Sequence, residues 1–248
     1  MEIDSELLKS IGNKLGLKNK EHIEKSWMQD NLLFFLSKKC DNLIFKGGTA
    51  LYKFYSLPRF SEDLDFSSNI DIESILEHFC KENNYSLDSK KIKDSRLYKI
   101  RFKGILTKSN TIRIDVNLIK SYSSEIKTYI SSYPDIPPFI IKIMPLDEML
   151  AEKIHAILNR TKARDLYDVF FILRIIEITE ERKKLIFRKL LDRGIVIKEK
   201  NMVNRIKKRL DLISPIWNEE LKHFVLQELP KFNIVKDFII EKLNISFK

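Results

Sequence analysis

Two aspartates one residue apart, Asp63 and Asp65, stand in the stretch "RFSEDLDF" with Leu64 and Phe66 between and after them. Alternate residues of a strand share a face, so a strand here points both carboxylates one way and Leu64 and Phe66 the other. Two anions on one face repel unless something positive lies between them, and a metal ion or a basic side chain could serve. Upstream, Gly47, Gly48 and Thr49 separate an apolar run, "NLIFK", from the helical "TALYKFY". A glycine pair at a strand-to-helix turn leaves backbone N–H groups open to an anion and lets a phosphate approach without a Cβ in the way. Gly-Gly also serves any tight turn, so the pair gains meaning only from the aspartates one short helix further on.

A third carboxylate is a candidate for the same face. In "IRIDVNLI", Ile112, Ile114, Val116 and Leu118 form one side of a strand and leave Asp115 on the other, between Arg113 and Asn117. Such a residue is ordinarily solvent-facing. Three strand-borne carboxylates beside a phosphate-binding turn would instead make a magnesium site for chemistry on a nucleoside triphosphate.

The later half of the chain carries a separate anomaly. Winding "PLDEMLAEKIHAILNR" as a helix at about 100° per residue puts Leu146, Met149, Leu150, Ile154 and Ile157 on one stripe, with Lys153 in its middle. A lysine there must be paired or must snorkel. In the next helical stretch, "ARDLYDVFFILRII", Asp168 lies on an apolar flank one turn after Arg164. An Arg164–Asp168 pair or a Lys153–Asp168 pair could be purely structural and compete with a catalytic use.

The elements that must position these residues follow from periodicity. Residues 4 to 38 read as helices, "NLIFK" as a buried strand, and the segment near 71 to 83 as a helix. Strands are predicted near 85 to 93, 97 to 106 and 111 to 119, with Tyr98, Ile100 and Phe102 alternating against Lys99, Arg101 and Lys103 as in a sheet with one wet face. "SSYPDIPPF", with three prolines, reads as a connector, and from Pro145 onward the pattern is almost entirely helical. The expectation is α+β: a mixed-sheet half over 1–138 with N-terminal helices, and a mainly helical half over 139–248.

At 248 residues and 44% hydrophobic the chain can bury a substantial core. No basic, then apolar leader opens "MEIDSELLKS" and no run is apolar enough to span a membrane, so a cytoplasmic protein without a membrane partner is expected. Cys40 and Cys80 are isolated, which suggests reduced packing residues rather than a disulfide or zinc site. The net charge of +10 is carried entirely by residues 182 to 209, with twelve Lys or Arg against Asp192 and Glu199. That segment, including Lys183, Lys184, Lys207 and Lys208, is either an electrostatic footprint for a polyanion such as RNA or a pair of solvated helix faces.

"GGTAL" followed by "RFSEDLDF" and then "EKIHAILNRTKARDLYDVFFI" resembles the AbiEii/AbiGii toxin family of nucleotidyltransferases, found in bacterial abortive-infection (phage-defence) and type IV toxin–antitoxin systems. The resemblance runs from about Lys46 to Leu173. It implies a polymerase-beta-type nucleotidyltransferase fold followed by a helical region, with Gly47, Gly48 and Thr49 holding the triphosphate. It also implies metal-binding roles for Asp63 and Asp65, active-site roles for Lys153 and Asp168, and supporting roles for Arg164 and Asp165. Arg59 and Ser61, in the matched "RFSEDLDF", are further candidate nucleotide contacts. The cofactor implied is Mg²⁺, as a two-ion site; the partners are a nucleoside triphosphate donor, an RNA acceptor at the 3′ end of tRNA, and a cognate antitoxin. Rival readings keep the fold but change the acceptor to a protein or small-molecule hydroxyl, or make the chain an inactive RNA-binding module.

Overall fold

The computed structural model describes residues 3–118 and 123–247. It comprises two compact units, one of residues 1–56 with 60–144 and one of residues 57–59 with 145–248.

The first unit begins with α1 (Ser5–Lys14), whose first-turn N–H groups of Glu6 and Leu7 donate to the Asp4 carboxylate, and α2 (Lys20–Lys39), capped in the same way by Asn19. Then follow β1 (Ile44–Lys46), α3 (Gly47–Tyr55), β2 (Leu64–Ser68), α4 (Glu73–Asn83), β3 (Ser86–Ile92), β4 (Ser95–Phe102), β5 (Asn110–Leu118), β6 (Glu125–Tyr129) and β7 (Phe139–Ile143). The seven strands form one mixed sheet in the order β3-β4-β5-β2-β1-β7-β6, parallel at β2/β5 and β1/β7 and antiparallel elsewhere. Alternation decides the two faces. Phe45, Phe66, Ile100, Ile112, Val116 and Ile143 are buried on one side, where α2 packs on β5 and β7 and α4 on β3. The residues between them, Lys99, Arg101, Arg113 and Asp115 among them, occupy the other face.

The expected strands are found, although Ile119 and the opening Met1-Glu2 lie outside the described residues. Two strands, β6 and β7, were not expected. "SSYPDIPPF" is the connection between them, and β7 pairs with β1. The units therefore divide after Met144, not at 138/139, because β7 completes the sheet before the helices begin.

The second unit contains α5 (Leu146–Asn159), α6 (Ala163–Leu173), α7 (Glu180–Asp192), α8 (Glu199–Ile213), α9 (Trp217–Leu221) and α10 (Phe232–Ser246). The fully buried Trp217 indole lies against Tyr167 and Phe232 at its core. Residues 57–59 join this unit through backbone bonds: the Leu226 N–H donates to the Pro58 carbonyl at 3.0 Å, and Arg59 bridges Val225. Among the described residues no helix is long and apolar enough to cross a membrane. Cys40 and Cys80 are both buried free thiols.

Candidate functional site

β1 ends and α3 begins without a break at Lys46-Gly47. Gly47 has φ +77°, a conformation L side chains rarely adopt, and a Cβ placed on it would lie 2.2 Å from Asp65 Oδ2. The Asp65 carboxylate thus rests against the first residue of a helix that has no side-chain cap and no acidic residue in its first turn. The positive end of the helix stabilises an anion there. Thr49 is fully buried, and its hydroxyl donates to the Asp63 carbonyl, so it ties the first turn of α3 to the aspartate segment. Gly48 is buried in the same turn. Ser61 is buried nearby in the chain, its carbonyl accepting from Gln29 Nε2 at 2.7 Å.

Register aligns the carboxylates. Asp65 of β2 is the partner of Asp115 in β5 on one side and of Lys46 in β1 on the other. Paired residues of neighbouring strands project to the same face, so Lys46, Asp65 and Asp115 form one row across three strands. Asp63 lies just before the strand, two residues ahead of Asp65, and its carbonyl is the one that Thr49 holds. A basic side chain, Lys46, therefore stands in the row itself. Its position directly before the glycines was the only signal in the sequence.

Among the described residues no three His, Cys, Asp or Glu side chains converge as a ready-made metal cage. Magnesium asks for less, because it is held by one or two carboxylates, waters and substrate phosphate oxygens. The all-oxygen donor set of Asp63, Asp65 and Asp115, with Asp65 and Asp115 adjacent in register and a helix N-terminus bare of side chain at Gly47, fits that requirement. Gly47→Ala should disrupt this arrangement. The left-handed backbone costs about 1–2 kcal/mol for a residue with a Cβ, and the added carbon must displace the Asp65 carboxylate. A lower melting temperature together with loss of transfer activity is expected, and a variant equal to wild type in both would show that the close approach is unimportant.

The second unit holds its own cluster of charges. The Arg59 guanidinium binds Asp168 with two bonds, Nε to Oδ1 and Nη2 to Oδ2, each 2.7 Å. Lys153 Nζ lies 2.7 Å from Asp168 Oδ2 and 3.0 Å from Asp165 Oδ1, and Arg160 donates to both oxygens of Asp165. Arg59 is 2% exposed and Asp168 0%. Burial alone would depress the Lys153 ammonium, but Asp168 and then Asp165 outweigh it and hold its pKa above the ordinary lysine value. Burial likewise raises Asp165, and Lys153 and Arg160 overturn that effect and hold its carboxyl well below the usual range. Five side chains drawn from two helices, the connection between them and the loop at Arg59 thus bring three cations to two carboxylates.

Of the two pairings considered for Asp168, the one with Lys153 is present, and the cluster adds Asp165, Arg59 and Arg160. Arg59 belongs to the second unit and is a bidentate partner of Asp168. Arg164 takes no part in that pairing as an alternative partner; its guanidinium stacks over the Phe224 ring, 5.0 Å from the centroid.

The basic segment is α7, a turn and α8, and much of its charge is answered within the unit. Lys183 contacts Glu180 and Glu199 at 2.7 and 2.9 Å, Lys189 pairs with Glu148, and Arg193 meets Glu152 at 2.7 Å. Lys184, Lys207 and Lys208 are exposed.

Solved structures give the fold. Over 92% of this chain and 98% of the other, the fold matches an H. pylori protein described as a nucleotidyltransferase, with a TM-score of 0.60 at 21% identity. MenT4, a nucleotidyltransferase toxin from Mycobacterium tuberculosis H37Rv, matches over 96% of this chain and 98% of its own, with a TM-score of 0.60 at 17% identity. JHP933 from Helicobacter pylori matches over 93% and 96%, with a TM-score of 0.58 at 20% identity. The mixed sheet with its flanking helices is the polymerase-beta-type nucleotidyltransferase fold. The family model for the AbiEii nucleotidyl transferase toxins of type IV toxin–antitoxin systems matches residues 32–238, and the chain belongs to that family. Membership implies a cognate antitoxin. No curated protein matches the chain.

Proposed function

We propose that this toxin transfers a nucleotide from a nucleoside triphosphate to an RNA hydroxyl, the 3′ acceptor end of tRNA, in the cytoplasm, and so blocks translation and growth. The observation that carries the proposal is the row of Asp65 and Asp115 in register beside Gly47, where a Cβ would fill the space against the Asp65 carboxylate. Asp63, Asp65 and Asp115 would hold Mg²⁺, which when bound supplies charge neutralisation at the α-phosphate and lowers the pKa of the acceptor hydroxyl.

The chain's own residues do the rest. The N–H groups of the first turn of α3, left open by Gly47 and Gly48, receive phosphate oxygens. Thr49, by holding the Asp63 carbonyl, keeps the aspartate segment in place against that turn. In the reaction the acceptor oxygen bonds to the α-phosphorus, the bond from that phosphorus to the bridging oxygen breaks, and pyrophosphate leaves. In the helical unit, Lys153 carries charge beyond what Asp165 and Asp168 require once Arg59 and Arg160 are counted. We assign that surplus, on a side chain 13% exposed, to substrate phosphate.

Exposed Lys184, Lys207 and Lys208, with Lys183, are assigned to the RNA backbone. Neutralising Lys184, Lys207 and Lys208 together should weaken tRNA binding and flatten its dependence on salt, with nucleotide affinity unchanged. An unchanged salt slope would return α7 and α8 to the status of a solvated surface. The proposal as a whole is tested by incubating the protein with each nucleoside triphosphate and total RNA and following which RNA gains label.

A further inference from the structure

The face of the sheet that carries Asp65 and Asp115 also carries a pair of like charges. Lys99 of β4 and Arg113 of β5 are direct cross-strand partners. Arg113 precedes Asp115 by two residues, so the pair forms the next row of the same face, roughly 7 Å along the strands. Like charges directly opposite in a sheet repel and destabilise the pairing. Arg101, one step further along β4, has its charge answered by Asp88 at 2.6 Å. Neither Lys99 nor Arg113 has an ion-pair or hydrogen-bond partner for its side chain among the described residues. Arg113 is exposed and Lys99 half-buried. Asp88 of β3 stands opposite Lys99 on its other side, but its carboxylate is taken by Arg101, so the two cations lie side by side and make a seat for an external phosphate.

The geometry points to Lys99 and Arg113 as a phosphate-binding pair that seats the backbone of the acceptor RNA on the open face of β4 and β5. This rests on the proposed RNA acceptor and extends it, since it adds a footprint in the sheet unit to the one assigned to α7 and α8. Rigid strands hold the two cations at a fixed spacing, which suits repeated backbone phosphates. The arginine can bind a phosphate oxygen pair bidentately while the lysine adds a point charge. The stability forgone by juxtaposing the charges is what a purely structural role leaves without a reason.

The test uses the full chain with Lys99→Gln, Arg113→Gln and the double variant. Bulk deacylated tRNA and each of the four nucleoside triphosphates are titrated at several salt concentrations, and thermal melts are recorded alongside. Each lost contact should make the slope of log affinity against log salt shallower by about 0.7, or about 1.4 for the double variant. Triphosphate affinity should stay at the wild-type value, and melting temperatures should equal or exceed wild type because repulsion is relieved. If wild type binds tRNA with strong salt dependence and the double variant keeps the same slope, the seat is refuted and the RNA-acceptor reading stands. If triphosphate affinity falls while the tRNA slope holds, the pair serves the donor and the inference is overturned. A double variant melting well below wild type would mark the pair as structural. Wild-type protein that fails to bind tRNA at all would overturn the acceptor reading itself.

Discussion

Asp168→Ala should cost about 3–5 kcal/mol of folding stability, the largest effect expected of any single substitution in the helical unit. Asp168 is fully buried, accepts two bonds from the Arg59 guanidinium and sits 2.7 Å from the Lys153 ammonium. Truncation removes the carboxylate that both cations face, and the Arg59 guanidinium, 2% exposed, cannot reach open water readily. Total stabilities of 5–15 kcal/mol are typical, so the variant should melt lower by about 10 °C or more and accumulate poorly. Lys153→Met makes the contrast. It leaves Asp165 and Asp168 with Arg160 and Arg59, two charges against two, and methionine fills the volume of the lysine stem. Its melting temperature should stay close to wild type while transfer activity collapses. An Asp168→Ala protein that melts within about 2 °C of wild type would show that the cluster does not hold this unit together. A Lys153→Met protein that melts far lower yet transfers nucleotide normally would make Lys153 structural.

Asp65→Ala should lower transfer by more than about 100-fold, because even residues that merely support a metal ligand cost 10–100-fold when lost. Growth inhibition should disappear with it. The fold should survive, since removing one of the carboxylates aligned across β2 and β5 relieves repulsion between Asp65 and Asp115. Near-normal melting with absent activity is therefore the expected combination. A soluble Asp65→Ala protein of undiminished toxicity would reject the assignment of the carboxylates.

The strands bearing these carboxylates were legible because period-two alternation is strong there: Ile112, Ile114 and Val116 against Arg113, Asp115 and Asn117. The turn at Gly47 was legible from the glycine pair, and its φ and its contact with Asp65 supply the reason for glycine at that position. Strands β6 and β7 were hidden by the prolines between them, which mark a linker as readily as a connection inside a sheet. Arg59 could not be assigned to Asp168, because a lone arginine in a loop has no periodicity and the two lie 109 residues apart. Part of the charge of α7 and α8 is answered by partners that the sequence does not place. The pairing of Lys183 with Glu180 follows from helical spacing, but those of Lys189 and Arg193 with Glu148 and Glu152 depend on packing against α5. Lys46 was visible all along, yet only strand register shows that it stands in the row of Asp65 and Asp115.

The fate of the donor's phosphorus distinguishes nucleotidyl transfer from any other use of the triphosphate. Wild-type protein, Mg²⁺ and total RNA should be incubated with each nucleoside triphosphate labelled at the α- or the γ-phosphate, and the products resolved by size. Label from the α-phosphate of at least one donor should move onto RNA of tRNA length, γ-label should leave as pyrophosphate, and Asp65→Ala protein should do neither. Failure of α-label to reach any RNA with all four donors, or transfer of γ-label instead, would contradict nucleotidyl transfer to RNA as the activity of this toxin.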